Sequence, residues 1–485
     1  MDQVPRYDGR YNFDQYQLVV RVMPGREKLR VLARINVRLR DQGLTSFDFG
    51  LHPWLRLEHM RLVDGLGRSV PCSYWRQGVT LRVAGCDLSL PRDLTLEIGY
   101  WGQINTTVVS GWWMGTPITQ TTCYLGPEGG CLTSDGLWYP RINANSARYH
   151  LDIQGPSTHM VLDNLRSSHS RQDLSKGRTD RCEVVVGDFE ICRGSAATGP
   201  QGSPVAVSFY ALAGESRDAG QHTAHYGLLE TQLALGFLSR LYGPYPYPVL
   251  KVAETPGLGH GGRGLGDLVL IGHDLTADRE IPASGCGGGA ATVTRPSDGT
   301  GLALTLAHEV AHGWWGNKIR AREGDQVFIH EGLATYSEWL YRAARSTTQK
   351  GPGPDGTGML TSLSLSRTVL ASYLRYRRGV LEVGDGCLQA CRKGDKNYYY
   401  LAYLKSPLVL HMLHRLLGRG FFEALQQVIS EGQEGQGGEI SVEDLRATLS
   451  REASSRNLQE RIDSVFAKWV YDDNTLILPG INLED

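Results

Sequence analysis

The run Leu306-Ala307-His308-Glu309-Val310-Ala311-His312-Gly313-Trp314-Trp315-Gly316-Asn317 carries the strongest chemistry in the chain. His308 and His312 are four residues apart, so on a helix their imidazoles leave the same face one turn apart. Two nitrogens placed in this way can share one Zn²⁺ at roughly 2.0–2.1 Å. Glu309, beside the first ligand, can act as general base on a water at the metal. A catalytic zinc takes a third protein ligand and keeps a fourth position open. Glu331, nineteen residues past His312, opens the segment Glu331-Gly332-Leu333-Ala334-Thr335-Tyr336-Ser337-Glu338. A carboxylate at the start of a second helix is a natural third ligand. Glu338 follows about two turns later on the same face and can accept the far ring N–H of a ligating histidine. The competing picture is two core histidines without a metal. It would bury Glu309 and Glu331 near an apolar helix face without partners, which is costly.

Those groups need a scaffold. Apolar residues fall at 29, 31, 33, 35, 37 and 39, with Arg or Asn at most positions between. That is the period-two pattern of a half-buried strand. Tyr16, Leu18, Val20 and Val22 alternate likewise, and Pro24-Gly25 supplies the turn. Further strands are expected at Val79–Val83, Leu94–Tyr100, Arg148–Ile153 and Val184–Asp188. From about residue 205 the pattern changes. A strand at Val205–Leu212 leads into a helix at about 224–242, a strand near Val249–Glu254, a glycine-rich stretch 257–266 and a strand at Asp267–Ile271. Beyond about residue 300 the reading is mainly helical, interrupted by surface loops at Thr347–Gly358 and Glu431–Glu439. Ser441 and Asp444 form a capping-box-like helix start. The expected fold is α+β: an N-terminal antiparallel β saddle or sandwich over residues 1–204, then a mixed β and mainly α catalytic domain over 205–485.

At these residues the chain resembles the M1 family of gluzincin metallopeptidases, which carries H-E-x-x-H, eighteen residues, then E. Here the eighteen run from Gly313 to His330. Ser134-Asp135-Gly136-Leu137-Trp138-Tyr139-Pro140 is similar to the W-Y-P stretch of that family's N-terminal saddle domain. Tyr403-Leu404-Lys405, with Val409, Met412 and Leu413, is similar to its Y-x-K-G-x-x-V-x-x-M-L helix. The resemblance implies a thermolysin-like catalytic domain, aminopeptidase-type hydrolysis, Zn²⁺ as the metal, and Tyr403 as a phenol donor to the oxyanion. Read without the family, Tyr403 is one of several core tyrosines, with Tyr399 and Tyr400 as rivals.

The chain also departs from that pattern. The family's G-x-M-E-N motif, whose Glu binds the substrate α-amine, has no counterpart in residues 254–271. Gly261, Gly262, Arg263 and Asp267 occupy the place and are the substrate-contact candidates. Arg263 has the opposite charge and suits a carboxylate or phosphate. The formal G-x-G-x-x-G from Gly257 to Gly262 precedes a β-rich run rather than a helix, which argues against a dinucleotide site. Six of the ten residues 257–266 are glycine, and Gly285–Gly289 forms a second cluster before the histidines. The chain ends about eighty residues after Tyr403, so the family's C-terminal helical domain is not expected, and Thr347–Gly358 is a candidate substrate-holding loop.

Composition limits the remaining classes. Lys+Arg number 50 and Asp+Glu 51, so a nucleic-acid binder, which needs a basic excess, is not expected. Glycine, at 59 of 485, is abundant but without collagen spacing. No stretch reads as a signal peptide or a membrane span. Nine scattered cysteines read as reduced thiols in the cytoplasm. The leading expectation is a zinc hydrolase that cleaves a peptide or amide bond. Two others stand beside it: a hydrolase of an amide or other electrophile in a specialised metabolite, needing no free amine, and a catalytically silent binding module.

Overall fold

The computed structural model describes residues 4–5, 9–41, 43–85, 93–113, 116–143, 146–165, 181–198, 202–213, 217–259, 261–275, 300–322, 327–346, 363–434, 438–454, 458–473 and 476–477. The expected loop Thr347–Gly358 and the cluster Gly285–Gly289 lie outside these residues.

The alternation at residues 29–39 does what its period requires. In strand Lys28–Leu39, Leu29, Val31, Ala33, Ile35, Val37 and Leu39 are all buried, each contributing roughly 1–3 kcal/mol of apolar transfer. The strand pairs antiparallel with Tyr11–Met23 on one side and Asp93–Gln103 on the other. These form the middle of a six-stranded sheet. Its edge strand Arg148–Gln154 runs parallel to Tyr11–Met23, so the expected all-antiparallel pairing holds except there. A five-stranded antiparallel sheet, running from Met160–Asp163 to Thr106–Trp113, and a three-stranded one complete the N-terminal β region.

A further sheet packs against the helices that follow it. Its order is Phe189–Ala196, Val205–Leu212, Val249–Thr255, Leu268–Gly272 and Gly262–Gly264. The three middle strands are parallel and the two edges antiparallel, so the sheet is mixed. Phe189–Ala196 and Val205–Leu212 form an antiparallel pair. The expected division at residue 204 therefore falls inside a β-hairpin of the second unit's sheet.

Helix α1, Arg217–Tyr242, starts one to two turns before the expected position and packs on this sheet. Helix α2, Thr300–Ala311, packs against α1 and against helix α3, Leu333–Ser346. The later helices are Leu363–Val383, Ser406–Leu417, Arg419–Glu434, Val442–Ser454 and Gln459–Trp469. The first part of the expected loop 431–439 is thus helical to Glu434. The Ser441 cap forms: Ser441 N and Oγ donate to Asp444 Oδ2 at 2.8 and 2.7 Å, and Asp444 N donates back to Ser441 Oγ at 3.2 Å.

Two apolar cores lie among the described residues, one within residues 11–186 and one within 196–476. A third cluster, including Cys131, Val185, Tyr210, Leu258 and Leu270, joins them. No described helix is long and apolar enough to cross a membrane.

Candidate metal centre

Helix α2 is apolar nearly all round: Leu302, Ala303, Leu306, Ala307, Val310 and Ala311 are buried. Such a helix lies inside the molecule and carries its polar residues into the interior with it. His308 and Glu309 lie in its last turn. His312 follows immediately, its N–H donating to the His308 carbonyl at 3.3 Å, which keeps the i, i+4 relation.

Glu331 is on a π-helical turn, Val327–Gly332, that runs into α3. Such turns are rare and concentrate at functional sites. Glu331 Oε2 lies 3.5 Å from His308 Nε2 and 3.9 Å from His312 Nε2. The three ligand atoms lie within 4.8 Å of one another. Ligands at 2.0–2.1 Å in a tetrahedral arrangement are about 3.3 Å apart, so this group fits a single Zn²⁺ with little adjustment.

The field is negative. Burial opposes a charge on His308, yet Glu331, Glu309 and Glu338 outweigh it and push His308 up to about 9. Burial raises Glu331, but contact with His308 and the nearby His312 hold it well below the usual carboxylate range. Burial raises Glu309, opposed by His308 and His312.

The supports come from several elements. His312 Nδ1 faces the Trp315 carbonyl at 2.9 Å, which leaves Nε2 for a metal. Asn317 Nδ2 donates to the carbonyls of His312 at 2.8 Å and Gly264 at 3.1 Å. Glu338 Oε2 faces His308 Nδ1 at 3.9 Å, longer than a hydrogen bond, while Arg342 holds its other oxygen at 3.2 Å. His330 Nε2 accepts the Ala321 N–H at 2.8 Å and so fixes the turn beside Glu331. Sequence reading missed Trp315 and His330. A backbone acceptor leaves no residue-type signal, and His330 sits outside the motif spacing.

The glycine-rich strand Gly262–Gly264 runs against α2. A Cβ at Gly262 would lie 2.6 Å from Glu309 Cγ, and one at Gly264 would press on the Glu309 carbonyl oxygen and lie 2.8 Å from His312 Cβ. The Gly264 N–H faces the Glu309 carboxylate. Glycine is therefore required here for close approach. Gly261 accepts the Gly272 N–H at 2.9 Å.

The charge offered by Arg263 is already engaged. Arg263 is buried, and its Nη1 donates to Asp135 Oδ2 at 3.1 Å. Asp135 sits on the Ser134–Gly136 turn of the N-terminal unit, which closes with Leu137 at a left-handed φ of 55°. Arg141 reaches the other Asp135 oxygen at 3.4 Å. Glu183, buried nearby, accepts the Ser134 N–H at 2.8 Å. Asp267 precedes the strand Leu268–Gly272 and neighbours Asp163 and Tyr245.

Tyr403 lies on a second π-helical turn, Leu401–Lys405. Its ring is 6.2 Å from that of His308. Burial and then the Glu331 charge push its phenol well above the usual tyrosine value. Of its rivals, Tyr400 packs against Gly379 and Tyr399 faces Arg375 and Glu338. Tyr398, which the sequence reading passed over, also faces Glu331, with its ring 6.1 Å from that of Tyr403. They are five positions apart, Tyr398 on the helical turn Tyr398–Tyr400 that leads into the π turn.

Residues 291–469 match the peptidase family M1 domain. The chain is 26% identical over 202 residues to endoplasmic reticulum aminopeptidase 2 of Bos taurus, covering 40% of this chain and 19% of that protein. It is 24% identical over 204 residues to aminopeptidase M1-D of Oryza sativa subsp. japonica, covering 40% and 21%. The match thus spans about a fifth of these relatives' length. The fold is shared with an M1 zinc metallopeptidase from Deinococcus radiodurans, at a TM-score of 0.61 and 18% identity, over 98% of this chain and 97% of that one.

Proposed function

We propose, from the premise that residues 291–469 form an M1-family peptidase domain, that this protein is a zinc-dependent hydrolase of peptide or amide bonds. The observation that carries the reading is the convergence of His308, His312 and Glu331 on one point, with Glu309 beside it and Tyr403 across from it.

In this reading His308 Nε2, His312 Nε2 and a Glu331 oxygen hold the ion. When bound, zinc polarises the scissile carbonyl and makes a water more acidic. Glu309, its carboxyl raised by burial against the pull of His308 and His312, takes the proton from the attacking water and delivers it to the leaving nitrogen. The Tyr403 O–H donates to the carbonyl oxygen as negative charge develops there. The strand Gly262–Gly264, at the sheet edge and without bulky side chains beside Glu309, gives an extended substrate a place to lie.

A second reading concerns the substrate: an amide that presents no free amine. Its support is Arg263. In the segment where the resemblance would place an amine-binding carboxylate, residues 254–271, this chain has Arg263 between two glycines, paired with Asp135. A division into an N-terminal β unit and a catalytic unit fits the two cores.

The test joins metal quantitation to a panel of free and N-blocked aminoacyl amides. Wild-type protein is expected to carry one zinc per chain. Glu309→Gln is expected to keep the metal and lose turnover by about 10²–10⁴-fold. Full activity in that variant would end the assignment. Equal rates on blocked and free substrates would favour the second reading.

A further inference from the structure

Lys405 is buried completely, two residues after Tyr403, and no step proposed above uses it. Its Nζ donates to Asp385 Oδ1 at 3.2 Å and to the Gly386 carbonyl at 3.0 Å. Asp385 is itself fixed from several sides. The Tyr376 phenol, on helix Leu363–Val383, donates to its other oxygen. Gly386 N donates to Oδ1 at 2.8 Å, and Asn397 Nδ2 donates to the Asp385 carbonyl at 3.1 Å. The Leu476 N–H donates to the Tyr376 oxygen at 2.9 Å, tying the C-terminal segment to the same group.

A buried ion pair is a weak source of stability, since apolar residues of similar volume often serve as well. Its geometry is what it supplies. The network grips one end of the π turn Leu401–Lys405. At that end Ser406 Oγ donates to the Leu401 carbonyl at 2.8 Å. Ser406 also abuts the other π turn: a Cβ on Gly332, next to Glu331, would lie 2.8 Å from Ser406 Cβ. The turn bearing Tyr403 is therefore pressed against the turn bearing Glu331 on one side and held by Lys405 on the other.

We infer that Lys405, with Asp385 and Tyr376, positions Tyr403 opposite the His308–His312–Glu331 group. Lys405 acts through the backbone of its turn and touches no reacting atom. The inference rests on the reading of Tyr403 as oxyanion donor.

The test is a double-mutant cycle on the fastest substrate of the amide panel. Tyr376→Phe removes one hydroxyl and keeps the ion pair, so it is the milder variant beside Lys405→Met. Each is expected to lower kcat by about ten- to a hundredfold, with KM within about twofold and zinc content unchanged. In a Tyr403→Phe background the same substitutions are expected to lower kcat less than about twofold, because the group they position is already gone. An equal loss in both backgrounds, or loss of zinc, would overturn the inference. Full turnover in Tyr403→Phe alone would instead remove the role of Tyr403, and is seen separately. Should no panel substrate react, amide hydrogen exchange decides. Tyr376→Phe is expected to speed exchange over residues 401–406 and leave 327–332 unchanged. Unchanged exchange over 401–406 would overturn the inference.

Discussion

One added carbon at Gly264 would press on the Glu309 carbonyl oxygen, a backbone atom with little room to move. At Gly262 the added carbon would meet the Glu309 side chain at 2.6 Å, which can rotate away. The two positions should therefore fail differently. Gly264→Ala is expected to destabilise the protein by about 1–3 kcal/mol, seen as a lower Tm. Gly262→Ala is expected to shift Tm less but to cut turnover more than tenfold, because it displaces Glu309, the proposed general base. The reverse ranking in paired melting and kinetic measurements would remove the close-approach account. At this scale His308, Glu309, His312 and Glu331 were legible because their spacing alone states a geometry. The fate of Arg263 was not legible, since its partner Asp135 is 128 residues away in sequence.

Elements set what those residues can reach. Both π turns, Val327–Gly332 and Leu401–Lys405, went unread. Apolar periodicity marks a helix without revealing one extra residue in a turn. Helices α3 and Ser406–Leu417 are joined by a buried polar cluster, in which the Tyr336 hydroxyl faces His411 Nδ1 at 3.2 Å and His414 Nδ1 at 2.7 Å. Burial pushes His411 down to about 4, helped by Arg415, and His414 down to about 3, helped by His411. In the unfolded chain both titrate near 6.5. Between about pH 6.5 and 4 the unfolded chain thus binds protons that the folded chain refuses. Their contribution to stability is complete above about 6.5 and falls as pH drops through that window. The slope from the pair is at most about 2.7 kcal/mol per pH unit. Denaturant unfolding at several pH values should show the decline. It should flatten when His411 and His414 are both replaced by Gln; an unchanged slope would refute the assignment.

Across the whole molecule, the Arg263–Asp135 pair links the edge strand Gly262–Gly264 to the Ser134–Gly136 turn of the N-terminal β region. Arg263→Met would take from Asp135 its 3.1 Å partner, leaving Arg141 at 3.4 Å, and would remove the cation that most lowers the buried Glu183. The expected cost is about 3 kcal/mol. Because the pair bridges two cores, calorimetry should show one transition split toward two. The double variant Arg263→Met/Asp135→Asn should recover part of the loss. A single unshifted transition in Arg263→Met would show that the third apolar cluster couples the units without it.

The sequence by itself determined that His308, Glu309, His312 and Glu331 come together, and it determined the strands whose alternation is regular, such as Lys28–Leu39. Those follow from local rules: four residues to a helical turn, two to a strand repeat, and fixed spacing between ligands. Tertiary structure alone decided that Tyr398 and Tyr403 both turn toward Glu331, why two glycines must flank Arg263, and where the Arg263 charge goes. These depend on distances between segments far apart in the chain, and no local pattern encodes them.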